Sequence, residues 1–377
     1  MKKTIRYLPV VVMIFLCILI YPFLQGVRAG LSKDDARYYY GVIINSFHDR
    51  IDPGIDSEME SQSVAKLLSS EVIMYQLDAA YDTGRIEKMV QWIIQNQDNN
   101  GDGEIGWGLN FAWDAFSDGS ENPKDHVYAI ETADVLNAIM DYLELEIADD
   151  KTKAECLRLV HESVVLWNRK YWSEKTDKGE YFYWYSIAES DAIECSNISS
   201  EMGGCSARAI SLFPDIFSEA ESRIILENVE ATMLHLYQSA IRSDSTYWSY
   251  SYLNPHMNDA IHHAFVVYGI NHYINASKNE QLIKAYQELD LQSYILSCIQ
   301  EGELYSYPDA SLSRMYDAGA TVYIQDNHLC GGILRNMIHK YHIHEGIPAS
   351  EDGKASYQYT ETQLTFLAHA LADYLAR

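Results

Sequence analysis

Apolar residues recur every three or four positions in several segments of the chain. In one of these segments, Leu159, Val160, Val164 and Trp167 fall on the same side of a helix. This period predicts amphipathic helices over residues 85–95, 152–171, 218–241 and 278–299. Alternation with a period of two is nearly absent, so the pattern predicts an all-α protein.

A second kind of helix is rich in small residues and follows an aromatic cluster and a polar loop. The cluster Tyr247–Tyr252, for example, precedes a helix that is predicted to begin near Met257. Helices of this kind are predicted to start near residues 127, 199, 257 and 327 and to end the chain, and residues 63–81 form another without an aromatic prelude. The aromatic stretches are expected to form short hairpins or loops.

The two kinds of helix alternate, which indicates a double ring. Helices lined with glycine, alanine and serine pack closely in an inner ring, and helices with one apolar stripe suit an outer ring with one solvated face. The small residues expected inside are Gly203, Gly204, Ala260, Ala264, Gly331, Gly332, Ala368, Ala370 and Ala372.

This order resembles the (α/α) toroid superfamily of carbohydrate-active enzymes. The stretch Gln95–Trp107 is similar to the Gln-to-Trp repeat of those toroids, and the resemblance covers roughly residues 35–377. It implies a double ring of about five to six helical hairpins and an activity among the polysaccharide lyases, C5-epimerases and glycoside hydrolases. The alternative architecture is a helical solenoid.

The first 29 residues have the layout of an export signal. A short basic start precedes the uncharged run Tyr7–Val27, and Val27 and Ala29 fit the places before a cleavage site. The run is also long enough to span a bilayer. Residues 1–29 are therefore predicted to be a signal peptide or a single membrane anchor, followed by one toroid domain over residues 30–377. We expect a secreted or periplasmic protein, or one on the outer face of a membrane.

The net charge of the chain limits the classes of ligand that it is expected to bind. Its 377 residues include 28 Lys and Arg against 54 Asp and Glu, a formal net charge of −26. Such a surface repels polyanions, so a nucleic-acid partner is excluded and an oligo- or polysaccharide substrate is expected. Five cysteines follow residue 30, and an odd number does not indicate a disulfide framework. Cys195 and Cys205 either pair locally or are buried separately.

Polar residues gather just ahead of the small-residue helices. The N-termini of inner helices meet at one mouth of such a ring, where their free N–H groups suit hydroxyl-rich or anionic ligands. Three of the four polar clusters place a histidine beside a carboxylate or an amide, although helix capping alone also explains such residues. The candidates are His126, Tyr128, Asn258, Asp259, His262, Asn327, His328 and Glu361.

The resemblance implies roles for one of these clusters. Toroid lyases place an Asn–His pair at the start of an inner helix, where the amide neutralises a uronate carboxylate and the base removes the C5 proton. Asn327 and His328 match that pair, with Asn258 and His262 as a second candidate. Tyr128, Tyr305, Tyr316 and Tyr359 are candidate acids or bases, and Arg314 is the cation expected to lower the pKa of Tyr316. The leading predicted reaction is therefore β-elimination or C5 epimerisation.

Two other functions stay open. An inverting glycoside hydrolase needs an acid and a base separated by room for a water, and Asp125, Glu131, Asp259, Asp309 and Glu361 supply carboxylates. The remaining alternative is a non-catalytic glycan-binding or envelope-assembly protein on the same scaffold.

Aromatic residues in polar loops are predicted to stack on sugar rings, with core packing as the alternative. They are Trp107, Trp113, Trp184, Trp248, Tyr250, Tyr305 and Tyr357. No cofactor is predicted. Asp98, Asn100 and Asp102 match the first half of a calcium loop, but Leu109 occupies the place of its glutamate. We interpret the stretch as a turn, with calcium as the alternative.

Overall fold

The structure is a computed structural model that describes residues 30–47, 59–175, 180–251, 253, 255–343 and 355–377. Of residues 175, 180 and 355–360 only the backbone is described. The predicted signal or anchor at residues 1–29 lies outside the described residues. Within them, no helix combines the length and the hydropathy that crossing a bilayer requires.

Helices on the outside of the fold alternate along the chain with helices on the inside. The outer helices are α1 (Lys33–Ser46), α3 (Gly84–Gln95), α5 (Asp150–Lys170), α7 (Glu219–Ser239), α9 (Glu280–Gln287) with the short α10 (Ser293–Ser297), and α11 (Asn327–Lys340). The inner elements are α2 (Ser61–Leu77), α4 (Ala129–Glu144), α6 (Ser196–Leu212), α8 (Ala260–Ala276), a 3₁₀ helix (Met315–Tyr323) and α12 (Ala355–Ala376).

The six inner elements close into a ring. Each packs against the next one in the order α2, α4, α6, α8, the 3₁₀ helix and α12, and α12 packs against α2. The outer helices lie against inner elements: α3, for example, packs on α2 and α4, and α1 packs on α12 from the other end of the chain. The predicted double ring of about five to six helical hairpins is confirmed, and it is an (α/α)₆ toroid.

Small residues allow the inner ring to close tightly. A Cβ atom added at Gly204 of α6 would lie 2.2 Å from the carbonyl oxygen of Gly269 in α8, and one at Gly269 would lie 2.1 Å from that of Ser200. The two backbones therefore touch, and only glycine fits at these places. Outer helices instead show ordinary amphipathic faces and caps, such as the capping box of Ser218 and Glu221 at the start of α7.

Within the described residues, three short antiparallel strand pairs lie between the helices. They pair β1 (Trp172–Lys175) with β2 (Glu180–Tyr183), β3 (Ile241–Arg242) with β4 (Thr246–Tyr247), and β5 (Ile299–Gln300) with β6 (Glu303–Leu304). Isolated β-bridges add further order, such as the one between Trp113 and Asn122. The expectation of short aromatic hairpins is therefore correct.

The fifth inner element differs from the prediction. The helix that begins at Asn327 is an outer one, and the inner place is taken by the 3₁₀ helix. Its Gly319 lies where a Cβ atom would come within 2.7 Å of both Ile261 and Phe366, so the small residues of this segment are the ones that let the ring close. Gly331 instead packs from outside against Tyr374 of α12.

Two smaller expectations also change. The predicted helix over residues 278–299 is broken into α9 and α10. The five cysteines after residue 30 are all free and buried, so Cys195 and Cys205 do not pair.

Candidate active site

A cavity of about 480 Å³ opens where the N-termini of the six inner elements meet. Every inner element contributes to its wall: Glu60 and Gln62 from the start of α2, Glu131 from α4, Asn197 from α6, His262 from α8, Arg314 and Tyr316 from the 3₁₀ helix, and Thr362 from α12. The volume is that of a small-molecule site. The expected convergence of inner N-termini on one mouth is therefore present.

Two buried glutamates occupy one side of the cavity. Glu131 Oε2 accepts hydrogen bonds of 2.8 Å from the Ser61 hydroxyl and from the backbone N–H of Gln62. Glu60 accepts from the hydroxyls of Thr362 and Ser63. Burial raises the pKa of Glu60 to about 7, and the charge of Glu361 acts in the same direction. Burial, then the charge of Glu60, raise the pKa of Glu131 well above its ordinary value.

A buried ion pair lies beneath the floor on this side. Lys66 pairs with Asp134, whose other oxygen accepts from the side-chain amide of Gln62 at 2.8 Å. The rings of Phe265, Tyr268 and Phe366 lie 5.1–5.6 Å from the Lys66 ammonium. These contacts hold the Lys66 ammonium group in place beneath the cavity, so it is not available to bind a ligand.

The other side of the cavity holds a carboxylate with charged partners. Asp259 caps α8 and accepts from His262 Nδ1 at 2.7 Å and from the Arg314 guanidinium at 2.8 Å. Arg314 also donates to Asp317 at 2.8 Å. Burial acts to raise the pKa of Asp259, but His262 and Arg314 outweigh it and hold this pKa well below its usual range. Asp259 is therefore ionised, and its contact with Nδ1 leaves the Nε2 atom of His262 outside this pair.

The two carboxyl clusters face each other. α2 and α8 are three places apart in a ring of six, so their N-termini stand on opposite sides of the mouth. Glu60 stands on the α2 side and Asp259 with His262 on the α8 side. The cavity thus lies between a carboxyl group that retains its proton near neutral pH and an ionised carboxylate that orients an imidazole.

Aromatic rings line much of the remaining wall. They belong to Phe111, Trp113, Tyr128, Tyr185, Tyr250, Phe265 and Tyr316. Phe111 and Trp113 lie in the loop between α3 and α4. Two isolated β-bridges, Trp113–Asn122 and Gly108–Val127, hold this loop at both ends. At Gly108, an added Cβ atom would lie 1.9 Å from the carbonyl oxygen of His126. Rings presented in this way suit stacking on the apolar faces of sugars.

Several predicted site residues line this cavity and others support it. Trp113, Tyr128, Tyr250, His262, Arg314 and Tyr316 line it. Asp259 and His126 lie behind the wall: the Nε2 atom of His126 is 2.9 Å from the Ser186 hydroxyl, and its ring contacts Tyr128 edge-on. Asn258 is fully buried and donates to Ser196 at 2.8 Å. Glu361 is buried beside Glu60 and raises its pKa.

Asn327 and His328 lie far from the cavity, contrary to the expected position at an inner N-terminus. They are exposed at the start of α11, where Asp326 caps the helix. Arg377, at the other end of α12 from Thr362, donates to the carbonyl of Ile324 nearby. Fifteen residues of helix separate Thr362 from Arg377, so this end of the ring lies about 20 Å from the cavity.

The role expected of Arg314 towards Tyr316 is also wrong. Burial and four surrounding carboxylates raise the pKa of Tyr316 well above its ordinary value. Arg314 does not offset this because its charge is paired with Asp259 and Asp317. Tyr316 is therefore a wall residue that donates a proton poorly and is not a base near neutral pH.

Four of the predicted stacking residues whose side chains are described do not line the cavity. Trp107 and Trp248 are buried in the core, where their indole N–H groups donate to the carbonyls of Ile93 and Leu236. Trp184 is half-buried and donates to Ser173 at 2.7 Å. Tyr305 lies beneath Lys340 on the outer side. The side chain of Tyr357, like that of Tyr359, lies outside the described residues.

The possible calcium loop forms a turn. Asp98 accepts from the backbone N–H of Gly103 at 3.1 Å, and the side-chain amide of Asn100 donates to Asp102 at 2.7 Å. Gly101 and Gly103 have positive φ angles, as tight turns require. In the described part of the chain, no three His, Cys, Asp or Glu side chains are placed to hold a metal ion.

Glu60 was missed by the sequence reasoning. It stands immediately before α2, the one inner helix without an aromatic prelude, and it is one of 54 acidic residues. The signal that was present is its position: it is the N-cap of a small-residue helix, as Asp259 is of α8.

Comparisons with known proteins match the fold. No protein-family model matches the sequence, and no curated protein sequence matches it. Among solved structures, the GH76A α-1,6-mannanase from Salegentibacter superposes with a TM-score of 0.54 at 11% identity, covering 91% of this chain and all of the mannanase.

Two further structures are similar over most of their length. The unsaturated glucuronyl hydrolase from Bacillus sp. GL1 has a TM-score of 0.51 at 12% identity, with 89% of this chain and 83% of the hydrolase covered. The cellobiose 2-epimerase from Spirochaeta thermophila has a TM-score of 0.55 at 12% identity, with 93% and 98% covered. At such identities the likeness shows the fold alone: the chain has the (α/α)₆ toroid architecture of these enzymes.

Proposed function

We propose that the protein hydrolyses a neutral glycan with inversion at the anomeric carbon. The observation that carries the proposal is the pair of opposed groups across the cavity. Glu60 retains a proton near neutral pH, and Asp259 on the facing side is ionised and bonded to His262. Two titratable sites whose surroundings drive their pKa values apart are the signature of an acid and a base.

Glu60 is the general acid in this proposal. Its proton passes to the glycosidic oxygen while the bond from that oxygen to the anomeric carbon breaks, so the leaving sugar departs as an alcohol. A carboxyl group with a pKa of about 7 is protonated often enough at neutral pH and still gives up its proton readily. Glu131 lies beside it, and its own pKa is also raised, chiefly by burial.

The Asp259–His262 pair activates the water. Both Asp259 oxygens are already engaged, Oδ1 by His262 and Oδ2 by Arg314, and its low pKa makes it a weak proton acceptor. His262 lines the cavity, so its Nε2 atom takes the proton of a water that attacks the anomeric carbon on the opposite face. Asp259 then stabilises the imidazolium, and solvent returns the protons.

The charges around the cavity favour a neutral substrate. Arg314 is the one Lys or Arg in the described wall, and two carboxylates saturate it. Glu60 and Glu131 line the same cavity. A uronate would have to be desolvated among these acids without a free cation, which costs several kcal/mol. This disfavours the β-elimination and uronate epimerisation that the Asn–His resemblance implied.

The test is a panel of purified glycans assayed for new reducing ends. We expect cleavage of at least one neutral glycan, no unsaturated product from polyuronates, and a proton NMR spectrum in which the first product anomer is inverted. Glu60→Gln should lose activity about 10²–10⁴-fold. Glu227→Gln, an exposed site on α7, is the matched control and should keep full activity. Retained activity in Glu60→Gln would remove Glu60 from the mechanism.

Epimerisation of a neutral reducing-end sugar is the second candidate. It is favoured by the oriented imidazole of His262, which suits abstraction of a carbon-bound proton as well as activation of water. The two reactions separate in deuterated water. An epimerase incorporates deuterium at the carbon that inverts and produces no new reducing ends, whereas the hydrolase produces reducing ends without carbon-bound deuterium.

The site of action remains a prediction from residues 1–29, which indicate that the protein works outside the cytoplasm.

A further inference from the structure

A series of rings continues from the cavity onto the surface of the mouth. Tyr250 lines the cavity, and the ring of His256 stacks on it with centroids 5.6 Å apart and planes 10° apart. The His256 ring in turn meets Tyr307 edge-on at 6.4 Å. His256 is exposed, and the neighbouring loop carries Leu312, which is 55% exposed. Aromatic and apolar groups thus extend outward where solvent would favour polar ones.

Hydrogen bonds hold both rings, that of His256, which follows Tyr250, and that of Tyr307, which lies in a second loop. The Tyr250 N–H donates to the His256 carbonyl at 2.9 Å, and His256 Nδ1 lies 2.7 Å from the Met257 carbonyl. The second loop is closed between Ser306 and Leu312 at 2.8 Å. These bonds preorganise the rings, so a ligand that stacks on them orders little that is not already fixed.

The second loop is also tied to the inner ring. The Ala260 N–H at the start of α8 donates to the Ser306 carbonyl at 2.8 Å, and the Gln300 amide donates to the Pro308 carbonyl at 2.8 Å. The position of Tyr307 relative to His262 is therefore set by the same helix that carries the proposed base.

We propose that His256 and Tyr307, with Leu312 beside them, form a glycan-binding surface that holds the part of the substrate chain outside the cavity. This rests on the proposed function, and it specifies the substrate as an oligo- or polysaccharide of neutral sugars whose chain leaves the cavity on the α8 side. The ligand is identified as a glycan because this surface is continuous with the cavity: the His256 ring stacks directly on Tyr250, which lines the cavity.

The charge of the surface agrees with a neutral chain. In residues 255–257 and 305–314, Arg314 is the one Lys or Arg in the sequence, and it is paired with Asp259 and Asp317. Asp309 in the same loop is exposed. An anionic polymer would gain no counter-charge here, whereas a neutral pyranose gains stacking contacts.

The kinetic test compares substrates of increasing chain length. His256→Ala and Tyr307→Ala should each lower kcat/KM for long oligosaccharides by about tenfold, the effect of one lost stacking contact. Tyr307→Ala should leave kcat/KM for the shortest cleaved oligosaccharide unaffected. Tyr38→Ala, which removes an exposed ring from α1 on the outer ring, is the matched control. Tyr307 does not stack on Tyr250, so its variant does not disturb the cavity wall directly. An equal effect at every chain length, or no effect at any, would overturn the proposal.

A binding measurement separates this inference from the proposed reaction. In the Glu60→Gln background, affinity electrophoresis in a gel that contains the polysaccharide should show weaker retention once Tyr307→Ala is added. If the protein binds the polysaccharide through Tyr307 but never hydrolyses it, the proposed function fails and the surface stands. If hydrolysis occurs and retention does not depend on His256 or Tyr307, the surface fails and the function stands.

Discussion

The two sides of the cavity contain the same chemical group in opposite states. On the α2 side, burial raises the pKa of Glu60 to about 7. On the α8 side, Asp259 is just as buried, yet its pKa lies well below the ordinary value because His262 and Arg314 contact it. Burial alone therefore does not set the protonation of a carboxyl group; the partner within hydrogen-bond distance does.

The difference assigns roles that residue type alone does not. Glu60 receives hydrogen bonds from the neutral hydroxyls of Thr362 and Ser63, and these only partly offset its burial. Asp259 receives bonds from an imidazole and a guanidinium. Hydroxyl partners on the α2 side, and an imidazole and a guanidinium on the α8 side, therefore place a proposed acid opposite a proposed base.

Replacing Asp259 by Asn is expected to lower activity at least as much as any other single change discussed below. The amide cannot stabilise an imidazolium on His262 and favours the wrong tautomer, so we expect turnover to fall about 10²–10⁴-fold. His262→Gln should fall by a similar factor, and the double variant should fall little further because the two residues act as one unit. Steady-state rates measure this, and unchanged circular dichroism confirms folding. Additive losses in the double variant would contradict a shared role.

Removing the guanidinium of the α8 side should move the pKa of Asp259 upward, while the contact with His262 stays in place. Arg314→Met leaves Asp259 and Asp317 without their shared partner, and we expect a loss of about 3–5 kcal/mol in the free energy of unfolding at pH 7. The wild-type pKa of Asp259 is depressed, so its contribution to stability is present above about pH 4 and is lost as the pH falls. The difference between variant and wild type should therefore narrow as the pH falls below about 4.

Urea unfolding at several pH values measures this difference. The matched control is Arg158→Met on the outer helix α5, which also loses two ion pairs, but exposed ones, and should cost at most about 1 kcal/mol. Equal costs for the two arginines would show that the Arg314 pairs do not stabilise the ionised side of the cavity.

The α2 side can be tuned in both directions. Activity should fall as the pH rises through about 7, because Glu60 loses its proton there. Thr362→Val removes a hydrogen bond that lowers the pKa of Glu60, so this limb of the profile should move to higher pH; Glu361→Gln removes a charge that raises it, so the limb should move lower. Shifts of up to about one pH unit are expected. Rate profiles that move in the same direction in both variants would exclude Glu60 as the titrating group.

Much of this arrangement could be predicted from the sequence, and the limits have physical causes. Helical periodicity and small residues were sufficient for the double ring, and the polar caps correctly indicated one mouth that holds Asp259 and His262. Glu60 could not be recognised, since what distinguishes it from the other acids is burial opposite Asp259, a property of the ring closure and not of its neighbours in the chain.

The error at Asn327 has a different origin. The inner element before it is a 3₁₀ helix of nine residues, with three residues per turn, which the 3.6-residue period does not detect. Gly331 and Gly332 then led to the wrong prediction of an inner helix at Asn327. In the structure only Gly331 is closely packed, and Gly332 has open space around its Cα. As a result, the Asn–His pair that resembles the pair of toroid lyases was predicted at the wrong end of the ring.

The smallest expected effect is at that end. His328→Ala should leave kcat/KM within experimental error, because the side chain is exposed about 20 Å from the cavity and the cap of α11 is made by Asp326 through backbone N–H groups that the substitution retains. Asn327→Ala should behave alike. His262→Ala, the histidine that lines the cavity, is the matched comparison and should lose turnover. A large loss in His328→Ala with intact helical circular dichroism would mean that the chemistry takes place at the other mouth of the ring, and the opposition of Glu60 and Asp259 would then have no catalytic meaning.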